Sequence, residues 1–165
     1  MSQRVYNVLF LCTHNSSRSI LAEAILNHFA QGRFKGFSAG SSPTGKVNPF
    51  ALETLEKAGI EARGLRSKSW NEFTLPGAPQ MDIVVTVCDN AAGEVCPIWP
   101  GQPIGAHWGL VDPSSVGGDD ETKKAAFSKT YREIIQRLQV LLAIPVEGLD
   151  RNTLQERINE IGADL

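Results

Sequence analysis

Short apolar runs alternating with helical patterns constrain the fold of this chain more than any other feature. Residues 5–11, "FKGFSAG" (34–40) and "MDIVVTV" (81–87) are strand-like, and "PIGAHWG" supplies a short fourth strand. After the first run, Leu21, Ala24, Ile25, His28 and Phe29 recur at helical spacing, with Glu23 early in the segment. That spacing predicts an amphipathic helix. Asn48 as N-cap, Pro49 at the first helical position and Gly59 as the stop bracket a second helix. Across residues 121–143, Phe127, Tyr131, Ile134, Ile135, Leu138, Leu141 and Leu142 mark one long helical face. Beyond Pro145, Leu154, Ile158 and Ile161 fall on one side of an appended short helix within 146–165, expected to pack on the domain. Strands alternating with helices require right-handed crossovers, and so a parallel sheet covered on both sides. The 165 residues fit a single domain, 1–165, with its core at about 5–143.

Bulk properties exclude several classes of function. A net charge of −2 without a basic cluster gives no footing for nucleic acid. No apolar run approaches the roughly 18 residues of a membrane span, and "MSQRVYNVLFL" is too short for a secretion signal. A reducing cytoplasm is the expected setting. The 3 cysteines, Cys12, Cys88 and Cys96, are too few for a disulfide scaffold, and the 3 scattered histidines show no zinc spacing. Any role for the thiols is therefore catalytic or redox. Nothing in the sequence reports the oligomeric state.

The stretch "VLFLCTHNSSRSILAEAILNHF" places Cys12 at the end of a buried strand and Arg18 where a helix begins. In an open α/β sheet, ligands bind beyond the carboxyl ends of strands, where amides and helix N-termini point outward. A loop of this length between strand and helix can curl its amides around an oxyanion. Thr13, His14, Asn15, Ser16, Ser17, Arg18 and Ser19 form the expected oxyanion-binding set. Asn15 tolerates a left-handed backbone, and Arg18 offers a fork for two oxygens of a tetrahedral anion. The same groups are expected to hold Cys12 below the free thiol value of about 8.5, with Ser19 and Ser17 donating to its sulfur. The bland alternative is a buried cysteine beside an unrelated surface arginine; the strand–loop–helix context favours the site.

"LCTHNSSRS" resembles the phosphate-binding loop of the low-molecular-weight protein tyrosine phosphatase superfamily, in particular its arsenate reductase branch. "HWGLVDPS" (107–114) resembles that family's second motif. The resemblance implies a three-layer α/β fold with a four-stranded parallel sheet flanked by helices. It also implies that Asp112 is the general acid, protonating the departing oxygen. Without the cysteine loop, Asp112-Pro113 reads simply as a turn.

A phosphatase needs only Cys12, Arg18 and Asp112, whereas a reductase needs a source of two electrons. In "VCDNAAGEVC", Cys88 and Cys96 follow the third strand directly. By resemblance, Cys12 forms a thiol–arsenate adduct, Cys88 attacks Cys12, and Cys96 attacks Cys88 to carry the disulfide outward. Eight helical steps separate alpha carbons by ~12 Å, but a disulfide needs no more than about 6.8 Å. The segment must loop back or melt locally on oxidation. After Asp112-Pro113 the sequence continues Ser114, Ser115, Val116, Gly117, Gly118, without the aromatic wall of the family's tyrosine phosphatases. A small inorganic anion therefore suits the site better than an aryl ester.

His14 replaces a glycine common in the phosphatases and is expected to line the pocket mouth. Ser17 stands where many relatives carry another cysteine. Some thioredoxin-coupled relatives bind potassium behind the loop; Asn15, Glu23 and Ser38 match that site, but its remaining acid falls at Lys68. A lysine ammonium in that place predicts no required metal and no tightly bound cofactor. The implied partners are an arsenate- or phosphate-type oxyanion and a thiol donor, either thioredoxin or glutaredoxin/glutathione. "GSSPTGKV" (40–47) imitates a nucleotide-binding loop, but Val47 lacks the hydroxyl that magnesium needs. "RGLRSKSW" (63–70) reads as a solvated basic loop over Trp70. Arsenate reductase, phosphatase and phosphocysteine carrier remain in that order; a carrier has no use for Asp112 or the paired downstream thiols.

Overall fold

The computed structural model describes residues 4–88, 99 and 101–163. Four strands, β1 (Tyr6–Leu11), β2 (Phe34–Ala39), β3 (Ile83–Thr86) and β4 (Ile104–His107), form a parallel sheet in the order β2-β1-β3-β4. Helix α1 (Arg18–Phe29) links β1 to β2, and α2 (Pro49–Lys57) follows β2. Helices α3 (Asp120–Ala143) and α4 (Arg151–Ala163) come after β4. This is the three-layer α/β arrangement expected from the alternating pattern.

The strand order positions the site. From β1 the chain steps outward to β2, then crosses back to β3, so the order reverses between β1 and β3. A crevice opens beyond the carboxyl ends of two such strands. Leu11 pairs with Thr86 in register, and the Val87 amide donates to the Leu11 carbonyl at 2.9 Å. Cys12 and Cys88 therefore leave the sheet side by side. Val8, Leu9, Phe10 and Leu11 have no exposure, because central β1 is covered on both faces. One face packs on α1, α3 and α4 through Val8, Phe10, Leu21, Ile25, Phe127 and Ile158. The other rests on Leu9, Leu11, Phe73 and Val84 beside Phe37 and Trp70.

Local signals hold at α2, where the Asn48 side chain accepts from the Phe50 amide at 2.8 Å and Gly59 adopts φ +72° past the end. They hold less well at α1. Ile20, Ala22 and Leu26 are buried along with Leu21, Ala24 and Ile25, whereas His28 and Phe29 face solvent. α1 is not amphipathic in the expected sense: it contacts β1 and β2 on one side and α2 and α3 on the other. The buried stripe of α3 contains the expected Phe127, Ile134, Leu138 and Leu141, but also Thr130 and Arg137. Leu154, Ile158 and Ile161 of α4 join the main core.

Candidate active site

Cys12 is the first residue beyond β1, and its amide donates to the Ala39 carbonyl of β2 at 3.2 Å. The chain then turns at Asn15, which adopts φ 47° and is fully buried. Asparagine suits this left-handed position because its side chain can bond locally. Asn15 Nδ2 donates to Ser19 Oγ at 2.8 Å, while Oδ1 accepts from the Lys68 amide at 2.9 Å. One side chain thus ties the turn to the first turn of α1 and to the segment flanking β2.

The 40–48 stretch, read in sequence only as a false nucleotide motif, wraps the outside of this turn. The amides of Ser42, Thr44 and Asn48 donate to the carbonyls of Thr13, His14 and Ser16 at 2.9, 3.2 and 2.9 Å. Gly40 makes the wrapping possible: a Cβ there would lie 2.5 Å from the carbonyl oxygens of both Cys12 and Thr13. With these carbonyls engaged outward, the amides of His14, Asn15, Ser16 and Ser17 enter no backbone hydrogen bond among the described residues. They lie at the N-terminus of α1, which favours negative charge. Sequence reasoning missed this brace; Gly40 and the capping residue Asn48 were its only signals.

Arg18 closes the loop. Its NH1 donates to the Leu110 carbonyl at 2.9 Å, and NH2 lies 3.5 Å from Asp112 Oδ2. Arg18 Nε and Ser17 Oγ are buried without a hydrogen-bond partner among the described residues. Two donors are thus held ready at the anion loop, and burial makes an unsatisfied donor costly. Asp112 caps a short 3-10 turn, Pro113–Ser115, with Oδ1 accepting from the Ser114 amide and hydroxyl at 2.9 and 2.6 Å. That leaves Oδ2 on the side of Arg18. His14 is exposed.

Cys12 and Cys88 are both buried and in the thiol form. The Thr13 amide donates to Cys88 Sγ at 3.4 Å, with the Thr13 hydroxyl 3.8 Å from the same sulfur. The Cys12 thiol hydrogen-bonds Cys88, and this contact together with burial pushes it well above the ordinary cysteine range; the Arg18 guanidinium and Thr13 amide pull the other way. The expected lowering is therefore reversed in this arrangement. A second negative charge beside an adjacent sulfur is unfavourable, so the Cys88 contact favours the protonated form of Cys12. The expected donation from Ser17 to Cys12 is absent, because Ser17 Oγ has no hydrogen-bond partner among the described residues, while Ser19 Oγ accepts from Asn15.

Behind the loop, Lys68 overturns the reading of 63–70 as merely solvated. Arg63 and Arg66 are exposed, but Lys68 is only 8% exposed. Its Nζ lies 2.8 Å from the Arg66 carbonyl, 3.4 Å from Ser38 Oγ and 3.6 Å from Glu23 Oε1. An isolated parallel bridge between Gly40 and Ser69 anchors the segment to the end of β2. Among the described residues no cluster of three or more His, Cys, Asp or Glu side chains could hold a metal. Cys96, and the proposed loop between it and Cys88, lie outside the described residues.

The low molecular weight phosphotyrosine protein phosphatase family matches residues 7–156, and this chain belongs to that family. Its relatives include the arsenate reductases of Halalkalibacterium halodurans and Bacillus subtilis. Each is 36% identical over 132 residues, covering 80% of this chain and 91% of the relative. A solved arsenate reductase in the phosphate-binding state superposes with a TM-score of 0.68 at 27% identity, covering 84% of this chain and 97% of its own. The thioredoxin-dependent arsenate reductase of Corynebacterium glutamicum superposes at 0.58 with 28% identity, covering 86% of this chain and 65% of its own. No helix among the described residues is long and apolar enough to cross a membrane.

Proposed function

We propose that this chain reduces arsenate to arsenite, with Cys12 as nucleophile, Cys88 as the thiol that resolves the adduct and Cys96 as the relay. The observation that carries the reading is the contact of Cys12 with Cys88 at the mouth of an amide-lined turn. A phosphatase has no use for a second sulfur there. The similarity to named arsenate reductases supports the same choice.

In the proposed sequence, an arsenate dianion enters between the loop amides and the Arg18 guanidinium. The amides of residues 14–19, the Ser17 hydroxyl and Arg18 Nε supply its hydrogen bonds, while the Thr13 amide serves Cys88 Sγ instead. The incoming charge repels a thiolate, so the thiol proton leaves to an arsenate oxygen as the Cys12 sulfur bonds to arsenic. Asp112 protonates the oxygen that departs as water. Cys88, as thiolate, attacks the Cys12 sulfur; the S–As electron pair goes to arsenic, giving arsenite and a Cys12–Cys88 disulfide. Arsenic gains the two electrons that the two sulfurs lose. Cys96 then attacks Cys88, returning Cys12 to the thiol, and an external thiol donor reduces the Cys88–Cys96 bridge. Thioredoxin fits a protein disulfide of this kind, and the thioredoxin-dependent relative supports it. Glutaredoxin or glutathione is the alternative donor. Such a cycle belongs in a reducing cytoplasm.

Lys68, with its ammonium against Glu23 and Ser38, supplies a fixed positive charge behind the loop, so the proposal includes no metal. Phosphate shares the shape and charge of arsenate, so hydrolysis of small phosphomonoesters through Cys12, Arg18 and Asp112 accompanies reduction as a weak side reaction. Family membership and the Arg18–Asp112 approach favour this second activity.

Replacing Cys88 with serine separates the two. Arsenate turnover should vanish while 4-nitrophenyl phosphate hydrolysis persists, and Cys12→Ser should remove both. Loss of both activities in Cys88→Ser would contradict the resolving role.

A further inference from the structure

We infer that α4 is a positioning element for the loop that carries Asp112, acting through Trp108, Asn159 and Gly162. The inference rests on the reading of Asp112 as proton donor and extends it to a part of the chain far from the sulfurs.

Three contacts join α4 to the start of that loop. The indole of Trp108, 2% exposed, donates to the Ile158 carbonyl at 2.8 Å. The His107 amide donates to Asn159 Oδ1 at 3.1 Å. A Cβ at Gly162 would lie 2.3 Å from the His107 carbonyl and 2.9 Å from both Cα and Cδ1 of Trp108. Glycine is poorly suited to a helix interior. Here it lets the helix touch the backbone of 107–108 and leaves the indole room to reach a carbonyl one turn back.

The contacts are transmitted along a short path. The amides of Trp108 and Leu110 donate to the carbonyls of Thr86 and Val87 at 2.8 and 3.0 Å, which pins the loop to the end of β3. The Trp108 ring also tilts against Phe10 of β1, with centroids 6.1 Å apart. Two residues further on, the Leu110 carbonyl accepts from Arg18, and Asp112 Oδ2 faces the same guanidinium. The acid loop is thus gripped by α4 at one end and by the anion-holding arginine at the other. A shift of α4 against β4 moves Asp112 relative to the departing oxygen, and proton transfer is sensitive to such displacement.

A helix that merely covers the core would stabilise every element alike; a positioning helix acts on one loop first. Residue-resolved hydrogen exchange on the reduced protein reads this without any activity. In Gly162→Ala and Asn159→Ala, the Trp108 and Leu110 amides should exchange at least about tenfold faster while β1 amides keep their rates. The kinetic arm compares phenyl phosphate with 4-nitrophenyl phosphate, because a poor leaving group depends more on the acid. Gly162→Ala and the conservative Trp108→Phe, which removes only the N–H, should lower kcat for phenyl phosphate by about 10-fold and leave 4-nitrophenyl phosphate nearly unchanged. Asp112→Asn should show the same bias, larger. Uniformly faster exchange across the sheet, or unchanged exchange at Trp108 and Leu110, overturns the positioning role. If Asp112→Asn shows no leaving-group bias, the proton-donor reading fails instead, and exchange alone still decides whether α4 holds the loop.

Discussion

Two sulfurs in contact resist double ionisation, so the charge of Cys12 depends on its neighbour. The Cys88 contact is the largest influence raising the Cys12 thiol, ahead of burial, and Arg18 opposes both. Cys88→Ala should therefore bring Cys12 ionisation down towards the range first expected from the loop alone. The pH dependence of iodoacetamide alkylation, followed by mass spectrometry on reduced protein, checks this; an unchanged profile would show that Cys88 does not hold the proton in place. Lys68 presents the converse case. Burial lowers its ammonium from 10.5, with Glu23 pulling it back up. Between that lowered value and 10.5 the unfolded chain binds more protons than the folded one, so stability should rise with pH across this alkaline window. Lys68→Met abolishes the rise and, by leaving Glu23 without its cation, costs about 3 kcal/mol. Urea unfolding across that pH range measures both effects, and the Glu23→Gln/Lys68→Met double variant should recover most of the loss.

At the level of elements, the anion turn holds its shape because the 40–48 segment takes up its outward carbonyls. Gly40→Ala forces a methyl onto the carbonyls of Cys12 and Thr13. It should cost about 2 kcal/mol of stability and weaken phosphate binding by at least about tenfold, read by calorimetric titration. Full-strength phosphate binding in that variant would show that the brace does not shape the turn. What was legible here followed locality. The strands, the Asn48 cap and Gly59 stop of α2, and the run from Cys12 to Arg18 are set by neighbours in sequence, and the structure has them where the pattern predicts. The all-round burial of α1 depends on α2 and α3 packing behind it, which periodicity cannot report. Composition alone reads Lys68 as one more basic residue of the 63–70 loop; only the family resemblance set it beside Glu23 and Ser38, where its ammonium lies. The rise in the Cys12 thiol likewise needed Cys88 to arrive from another strand.

Across the whole molecule, one hydrophobic core runs from Val8 of β1 to Ile161 of α4. The appended helix is therefore expected to unfold with the sheet. Ile158→Ala, at a site with no exposure, should cost about 2–5 kcal/mol while leaving a single urea transition by both tryptophan fluorescence and circular dichroism. Separate transitions would make α4 an independent unit and remove its grip on the acid loop. The same architecture brings the ends of β1 and β3 together, so a sulfur after each strand becomes a reacting pair. Exposing reduced Cys96→Ser protein to an equimolar amount of arsenate, quenching in acid and mapping disulfides by mass spectrometry tests that pairing most directly. A Cys12–Cys88 bridge formed together with an equal amount of arsenite is the predicted result. Unreacted arsenate with both thiols intact, or arsenite formed without that bridge, would contradict it.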